Sequence, residues 1–385
     1  MIPRNIEDEL KETAKEFPVI TITGPRQSGK TTLAKKIFGH YSYANFENLE
    51  TRKLAKEDPN AFFKLYPTPL IIDEVQRLPS ILSEIQVLSD ELGKNGQFIL
   101  TGSHQSHLEE SVTQSLAGRT ALLKLLPLSI SELNKSGIQL DRDEYILNGF
   151  MPKIHSEKVL PTRLYRNYFE TYVERDVRQI ANLKNLDLFT KFMTLLAGRI
   201  GQVINYNSLA NDTGIGANTI KEWLSILEAS FVIYRLQPFY ENIGRRIVKT
   251  PKLYFTEVGL AAHLLGIENS QMVARDPLMG NLFENMVVME AVKARLNKGK
   301  RPNLYFYRDD KKNEMDLISW NNRKITPIEI KAAMTFTPSL TNGLIKFRKI
   351  CPDAKQGYLV YAGEKEFESD NYNITNFKSI DAIFQ

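Results

Sequence analysis

Several things are scarce or missing in this sequence. It holds one cysteine, Cys351, so no internal disulfide can form, and a reducing compartment is expected. It lacks any uninterrupted apolar run of about 18 residues, which argues against a membrane-spanning helix. The first ten residues, Met1 to Leu10, lack the apolar core of a secretory signal, and a cytoplasmic protein is expected. No internal repeat or low-complexity tract interrupts the chain. Neither charge sign dominates: 50 basic against 45 acidic residues leave a net +5, which permits contact with nucleic acid without demanding it.

The composition is that of an ordinary globular protein, 42% hydrophobic and 25% charged, but 385 residues exceed what one core usually organises. Over residues 1–160, short apolar runs alternate with helical patterns. Val19–Thr23, Pro69–Asp73 and Gln97–Thr101 read as buried strands, with a fourth over Leu122–Leu126. Helices are expected at Thr31–Phe38 and Leu82–Leu92. This rhythm predicts a parallel sheet covered on both faces.

Residues 161–200 look helical, and Tyr165, Tyr168, Phe169 and Tyr172 form a stripe better read as core than as a binding box. Residues 203–256 read as helix, turn, helix and hairpin. Asn207-Ser208 is expected to cap the first helix and Asn218 the second (Thr219–Ala229), with strands at Phe231–Phe239 and Ile247–Thr256. That is the order of a winged helix-turn-helix. From Asp276 a smaller α/β unit begins. It has a helix over Gly280–Leu296, strands at Leu304–Arg308, Met315–Trp320 and Lys324–Lys331, a helix near Pro338–Ile350 and a strand at Gly357–Tyr361. The expected units are 1–160, 161–274 and 275–385.

The most specific signal is Gly24-Pro-Arg-Gln-Ser-Gly-Lys-Thr31, a G-x-x-x-x-G-K-T loop between a strand and a helix. Gly24 and Gly29 let the backbone curl so that N–H groups converge, and the helix N-terminus adds positive potential. Pro25, Arg26, Gln27, Ser28 and Thr32 complete the expected nucleotide contacts. Lys30 would reach the β- and γ-phosphates and Thr31 would offer a hydroxyl to Mg²⁺. Asp73 ends a buried strand, where it would serve as the carboxylate on the metal side. Glu74 follows it, placed to polarise an attacking water.

Gly24–Thr32, Leu70–Glu74 and Phe98–Ser103 together resemble the Walker A, Walker B and sensor strand of AAA+-type ATPases. The resemblance implies ATP as nucleotide, Ser103 as the sensor residue and an arginine finger. The candidate finger is Arg119 in Ser115-Leu-Ala-Gly-Arg119, acting in trans within a homo-oligomer. Its plainer reading is a surface arginine in a glycine turn.

In the C-terminal unit, a hairpin centred near Asn322 and Arg323 would set Asp316 opposite Glu329. Lys331 would share their face, while Ile328 and Ile330 turn inward. Two carboxylates and an ammonium converging in this way could hold Mg²⁺ at Asp316 and Glu329 for phosphodiester hydrolysis. The order Asp, then Glu-x-Lys, resembles the PD-(D/E)XK nuclease fold. That resemblance makes Glu284 the carboxylate of the preceding helix, with Glu314 assisting. Ordinary cross-strand salt bridges are the plainer reading.

The whole order of parts, including Tyr172-Val-Glu-Arg-Asp176, resembles prokaryotic AAA+ ATPases fused to a C-terminal nuclease-like domain. It implies an α/β protein with an AAA+-like P-loop domain, a helical and winged-helix middle and a restriction-endonuclease-like end. Candidate DNA contacts are Arg235, Arg245, Arg246, Lys249 and Lys252, near Glu241. The helix from Asn218 spends much of its surface on core, and winged helices also bind proteins. Two functions are expected on these grounds: an ATP-driven enzyme acting on DNA, or a nucleotide-dependent switch whose nuclease-like unit is an interaction module.

Overall fold

The computed structural model describes residues 1–103, 115–173, 186–239, 249–354 and 356–384. In the first part, β-branched and aliphatic runs form five short strands. They are β1 (Val19–Thr23), β2 (Ser42–Asn45), β3 (Leu70–Asp73), β4 (Phe98–Gly102) and β5 (Thr120–Lys124). All neighbours run parallel in the order β2-β3-β4-β1-β5. The period of two sorts side chains to two faces. Ile20, Ile22, Ile71 and Ile99 enter one core, and Val19, Leu70, Ile72, Phe98 and Leu100 the other. Strand β2 escaped prediction because Ser-Tyr-Ala-Asn carries little apolar signal.

Helix α1 (Glu7–Glu16) precedes β1, α2 (Lys30–Ile37) follows the loop after it, and α3 (Ile81–Leu92) lies between β3 and β4. Helix α4 (Ile130–Lys135) opens with a capping box in which Ser129 and Glu132 satisfy each other's backbone amides. Helix α5 (Pro152–Glu157) leads into the middle region. There Tyr165, Tyr168 and Phe169 are buried, as a core stripe should be, while Tyr172 is half-buried. Glu174 to Asp176 lie outside the described residues.

Helix α6 (Leu186–Ala197) precedes α7 (Tyr206–Thr213) and α8 (Ala217–Ala229). Both expected caps shift. Asn205, not Asn207, caps α7 by accepting from the Ser208 amide, and α8 starts after Gly216 with Asn218 already inside it. Strands β6 (Ile233–Pro238) and β7 (Lys252–Phe255) then pair antiparallel.

The hairpin strands do not stand apart from the C-terminal region. β6 also pairs in parallel with β8 (Leu304–Arg308), and so joins β9 (Glu314–Asn321), β10 (Lys324–Lys331), β11 (Gly357–Tyr361), β12 (Phe367–Glu368) and β13 (Tyr372–Asn376). The eight strands run β12-β13-β11-β10-β9-β8-β6-β7. Helix α9 (Met279–Leu296) contributes a long apolar surface, and α10 (Asn342–Ile350) comes after a short 3₁₀ turn at Pro338–Thr341. One hydrophobic core runs from Leu126 through Phe189, Trp223, Met286 and Ile328 to Phe384. The middle and C-terminal parts are therefore bound through shared strands and shared packing.

Candidate functional site

The parallel sheet delivers its functional residues at one end, because every strand points the same way. Gly24 leaves β1 at φ +153°, and a Cβ there would lie 2.1 Å from the Leu125 carbonyl oxygen, so only glycine fits. Gln27 and Gly29 also adopt left-handed conformations, which curl the loop into α2. Lys30 is buried, and its Nζ donates to the carbonyls of Gly24 (2.9 Å) and Pro25 (2.8 Å). Burial pushes this ammonium down to about 8, against the pull of Glu74 and Asp73.

Asp73 ends β3 and accepts the Thr31 hydroxyl at 2.9 and 3.0 Å, Tyr43 at 2.9 Å and Thr101. Because β4 lies between β1 and β3, Thr101 reaches Asp73 from the middle strand. Glu74 takes a left-handed φ of 55° and meets Gln76 and, at 3.3 Å, Ser103, which also accepts from Gln76 at 3.2 Å. A cavity of about 630 Å³ opens over these groups, lined by Lys30, Thr31, Thr32, Asp73 and Glu74 and, from α5, by Lys153. Tyr172 closes another side, with the Arg26 guanidinium 5.3 Å from its ring centre.

The residues fit a magnesium nucleotide: Asp73 and Thr31 are already paired, and the buried oxygens of Gln27 and Ser28 lack partners. The structure thus brings Gly24 to Thr32, Asp73, Glu74 and Ser103 together. Tyr43, Gln76 and Thr101 were missed by sequence reasoning. Tyr43 sits on the strand with weak signal, while Gln76 and Thr101 lay within or beside motifs already noticed.

Arg119 does not join this site within the chain. Its carbonyl accepts from Val19 at the opening of β1, the end of the strand away from the loop. Its guanidinium is held by Asp90 at 2.6 and 2.8 Å. The parallel register places residue 119 and the phosphate loop at opposite ends of neighbouring strands.

The second cluster lies where β7, β9, β10 and α9 meet. Asn322 and Arg323 both adopt positive φ and close a two-residue hairpin, with Lys324 facing Asn321. The register runs on to Ile328 against Leu317, and the Ile330 amide donates to Asp316 at 2.9 Å, so Asp316 and Glu329 meet as expected. Lys331 Nζ lies 2.6 Å from Glu329 and 3.4 Å from Asp316. Burial, reinforced by the neighbouring Asp316 charge, pushes Glu329 up to about 7, and its second oxygen has no partner. Gly343 packs against it so closely that a Cβ would fall 2.3 Å from that oxygen.

Glu284 from α9 accepts from Tyr254 at 2.6 Å and from Lys252 at 3.0 Å, and Glu314 meets the same lysine at 2.6 Å. Burial raises Glu284 above the usual carboxylate range. Lys252 was expected to face DNA, and the structure corrects this: it is 2% exposed and serves as the cation between two carboxylates. Sequence could not reveal that, because the residue reaches the cluster from a strand of the middle region. Arg235 is likewise paired, with Glu228 at 2.7 Å. Arg245, Arg246 and Glu241 lie outside the described residues. Among the described residues no group of three His, Cys, Asp or Glu side chains is placed to hold a metal ion. No described helix is long and apolar enough to cross a membrane.

Comparison with known proteins divides the chain into three matches. Residues 16–134 match an AAA domain, 139–271 a domain of unknown function (DUF8612), and 279–380 another domain of unknown function (DUF4143). An uncharacterized protein of Mycobacterium tuberculosis is 30% identical over 371 residues, covering 94% of this chain and 81% of the relative. An uncharacterized protein of Haemophilus influenzae is 24% identical, covering 71% and 74%. Among solved structures, a Walker-type ATPase of Pyrococcus abyssi overlaps 69% of this chain and 96% of its own, with 15% identity and a TM-score of 0.42. Likeness at that distance says nothing of activity.

Proposed function

This chain belongs to the same family as the uncharacterized mycobacterial protein and carries an AAA-type P-loop ATPase domain, and from that premise we propose that it binds and hydrolyses ATP at Gly24–Thr31. One observation carries the reading: Lys30, Thr31, Asp73 and Glu74 line a single cavity at the open end of the parallel sheet. Asp73 and Thr31 would hold Mg²⁺, which when bound supplies charge neutralisation on the phosphates. Lys30 leaves its loop carbonyls to bind the terminal phosphates. Glu74 orients the attacking water and accepts its proton, while Ser103 and Gln76 fix the carboxylate. Thr101 and Tyr43 keep Asp73 turned towards Thr31. In a test with Mg²⁺ and ATP, the Lys30→Ala chain should turn over at least about 100-fold more slowly. A parent chain without ATP hydrolysis ends the reading.

For the rest of the chain the partner we propose is DNA. Support comes from the helix–turn–helix order of α7 and α8 before the β6–β7 pair, and from the grouping of Glu284, Asp316, Glu329 and Lys331. In this reading Asp316 and Glu329 hold Mg²⁺ and Lys331 stabilises charge during phosphodiester cleavage. A second reading, a nucleotide-dependent switch with an inactive interaction module, is favoured by Lys252. That buried cation already compensates Glu284 and Glu314 from inside the protein. Cleavage of DNA by the parent and its loss in Glu329→Ala would uphold the first reading. Absence of cleavage under Mg²⁺ with every DNA form tried would uphold the second.

A further inference from the structure

The phosphate loop is braced by Arg4, which lines the same cavity and has no role in the proposed hydrolysis. Arg4 is almost wholly buried, although its charge would normally favour solvent. Its Nη1 donates to the Ser28 carbonyl in the loop at 2.8 Å, and its Nη2 donates to the Leu126 carbonyl at 2.6 Å. Its Nε meets Glu132, itself fully buried, at 3.1 Å. Glu132 also accepts the amides of Asn5 at 2.7 Å and Ser129 at 2.9 Å. One guanidinium thus ties the loop to residues 125–130, and three charge-assisted bonds make the tie stiff.

The same short segment is gripped from the other side by α9. Lys293 donates to the Leu128 carbonyl at 2.7 Å, and Glu290 accepts the Ile130 amide at 2.8 Å; the two side chains pair with each other at 2.7 Å. Both are buried, so solvent does not weaken these bonds. The segment touches the loop directly as well, because the Leu125 carbonyl packs against Gly24 with no room for a side chain. About 9 Å further along α9, at its rise of 1.5 Å per residue, sits Glu284 with Lys252.

We propose that Arg4 is a positioning residue of the nucleotide site, and that residues 125–130 form a strap through which the phosphate loop and α9 bias each other. This rests on the ATPase reading. A nucleotide that settles the loop draws on Ser28, Arg4 and the strap, and the strap transmits to the helix that carries the C-terminal cluster. By linkage the coupling is reciprocal: the free energy by which bound nucleotide steadies α9 is the free energy by which a steadied α9 favours nucleotide.

The test uses the full chain, a fluorescent ATP analogue for affinity, steady-state ATP hydrolysis, and amide hydrogen exchange over residues 279–296 with and without a non-hydrolysable ATP analogue. Arg4→Ala should raise the dissociation constant about tenfold, and Arg4→Lys should recover part of the loss. Glu290→Gln, which lies outside the nucleotide cavity, should also weaken nucleotide binding. Because it leaves the buried Lys293 ammonium without its counter-ion, its melting midpoint should fall, and affinity is measured at a temperature where the variant remains folded. The analogue should slow exchange in α9 of the parent but not of Arg4→Ala. If Arg4→Ala does not fold, Arg4→Lys and Glu290→Gln decide the matter. Parental affinity in both, with α9 protection unchanged, overturns the strap and leaves the ATPase standing. A parent that neither binds nor hydrolyses ATP overturns the ATPase reading itself.

Discussion

At the phosphate loop, Lys30 turns to its own loop carbonyls and leaves Asp73 to three hydroxyls; in the C-terminal cluster, Lys252 and Lys331 reach the carboxylates themselves. Both places use Asp, Glu and Lys side chains, so composition does not separate them. The difference lies in which group neutralises the negative charge. In the first, a cavity of about 630 Å³ leaves room for an external cation and phosphates. In the second, two lysines and a tyrosine occupy the carboxylates, and Gly343 closes over Glu329. Hydroxyls exchange easily for a metal ion, whereas a buried ammonium must first be displaced, at the cost of an unpaired charge.

The sharpest way to break the comparison is Glu74→Gln. It keeps the size of the side chain and removes its ability to take a proton, so nucleotide binding should persist while kcat falls about 100-fold or more. Isothermal titration beside a phosphate-release assay separates the two effects, and equal losses in both would show that Glu74 shapes the site instead. Next in size is Lys252→Met. If the C-terminal cluster is internally compensated, removing this cation strands Glu284 and should cost about 3 kcal/mol of stability by urea unfolding. A neutral result would mean the carboxylates are solvated and open to a metal.

The third prediction concerns pH. The folded-state pKa of Glu329 is raised from its ordinary 4.5 to about 7. Its contribution is therefore fully present below about pH 4.5 and is lost as pH rises through 7. The stability of the parent relative to Glu329→Gln should fall between pH 5 and pH 8, on the order of one to a few kcal/mol. A difference that stays flat would mean Glu329 is as well paired when charged as when neutral. The smallest effect is expected from Arg119→Ala. Since Arg119 sits with Asp90 at the end of the strands away from the phosphate loop, the rate per chain in dilute solution should stay within about twofold. A rate that rises with concentration in the parent but not in the variant would instead place this arginine in a neighbouring chain's site.

Much of the first region was legible along the chain, because its residues come in short contiguous runs. Gly24–Thr31 is one such run, Leu70–Glu74 another, and each involves a strand with a clear apolar pattern. The hairpin of the second region was legible too: a two-residue turn at Asn322-Arg323 sets the register, and the register brings Asp316 to Glu329. Boundaries and caps were less so, since Asn205 and Asn207 look equally able to cap α7 and only the start of the helix chooses between them.

The sequence by itself determined the phosphate loop, its carboxylates and the facing pair of the C-terminal hairpin, for local spacing dictates which side chains share a turn or a strand face. Only the tertiary structure decided what compensates those charges. Lys252 lies 32 residues from Glu284, and Arg4 lies 24 residues from Ser28, so neither contact leaves a local trace. Their partners are chosen by strand order and by the packing of α9 against residues 125–130. The same long-range geometry turned a basic residue expected at a DNA surface into a buried counter-ion.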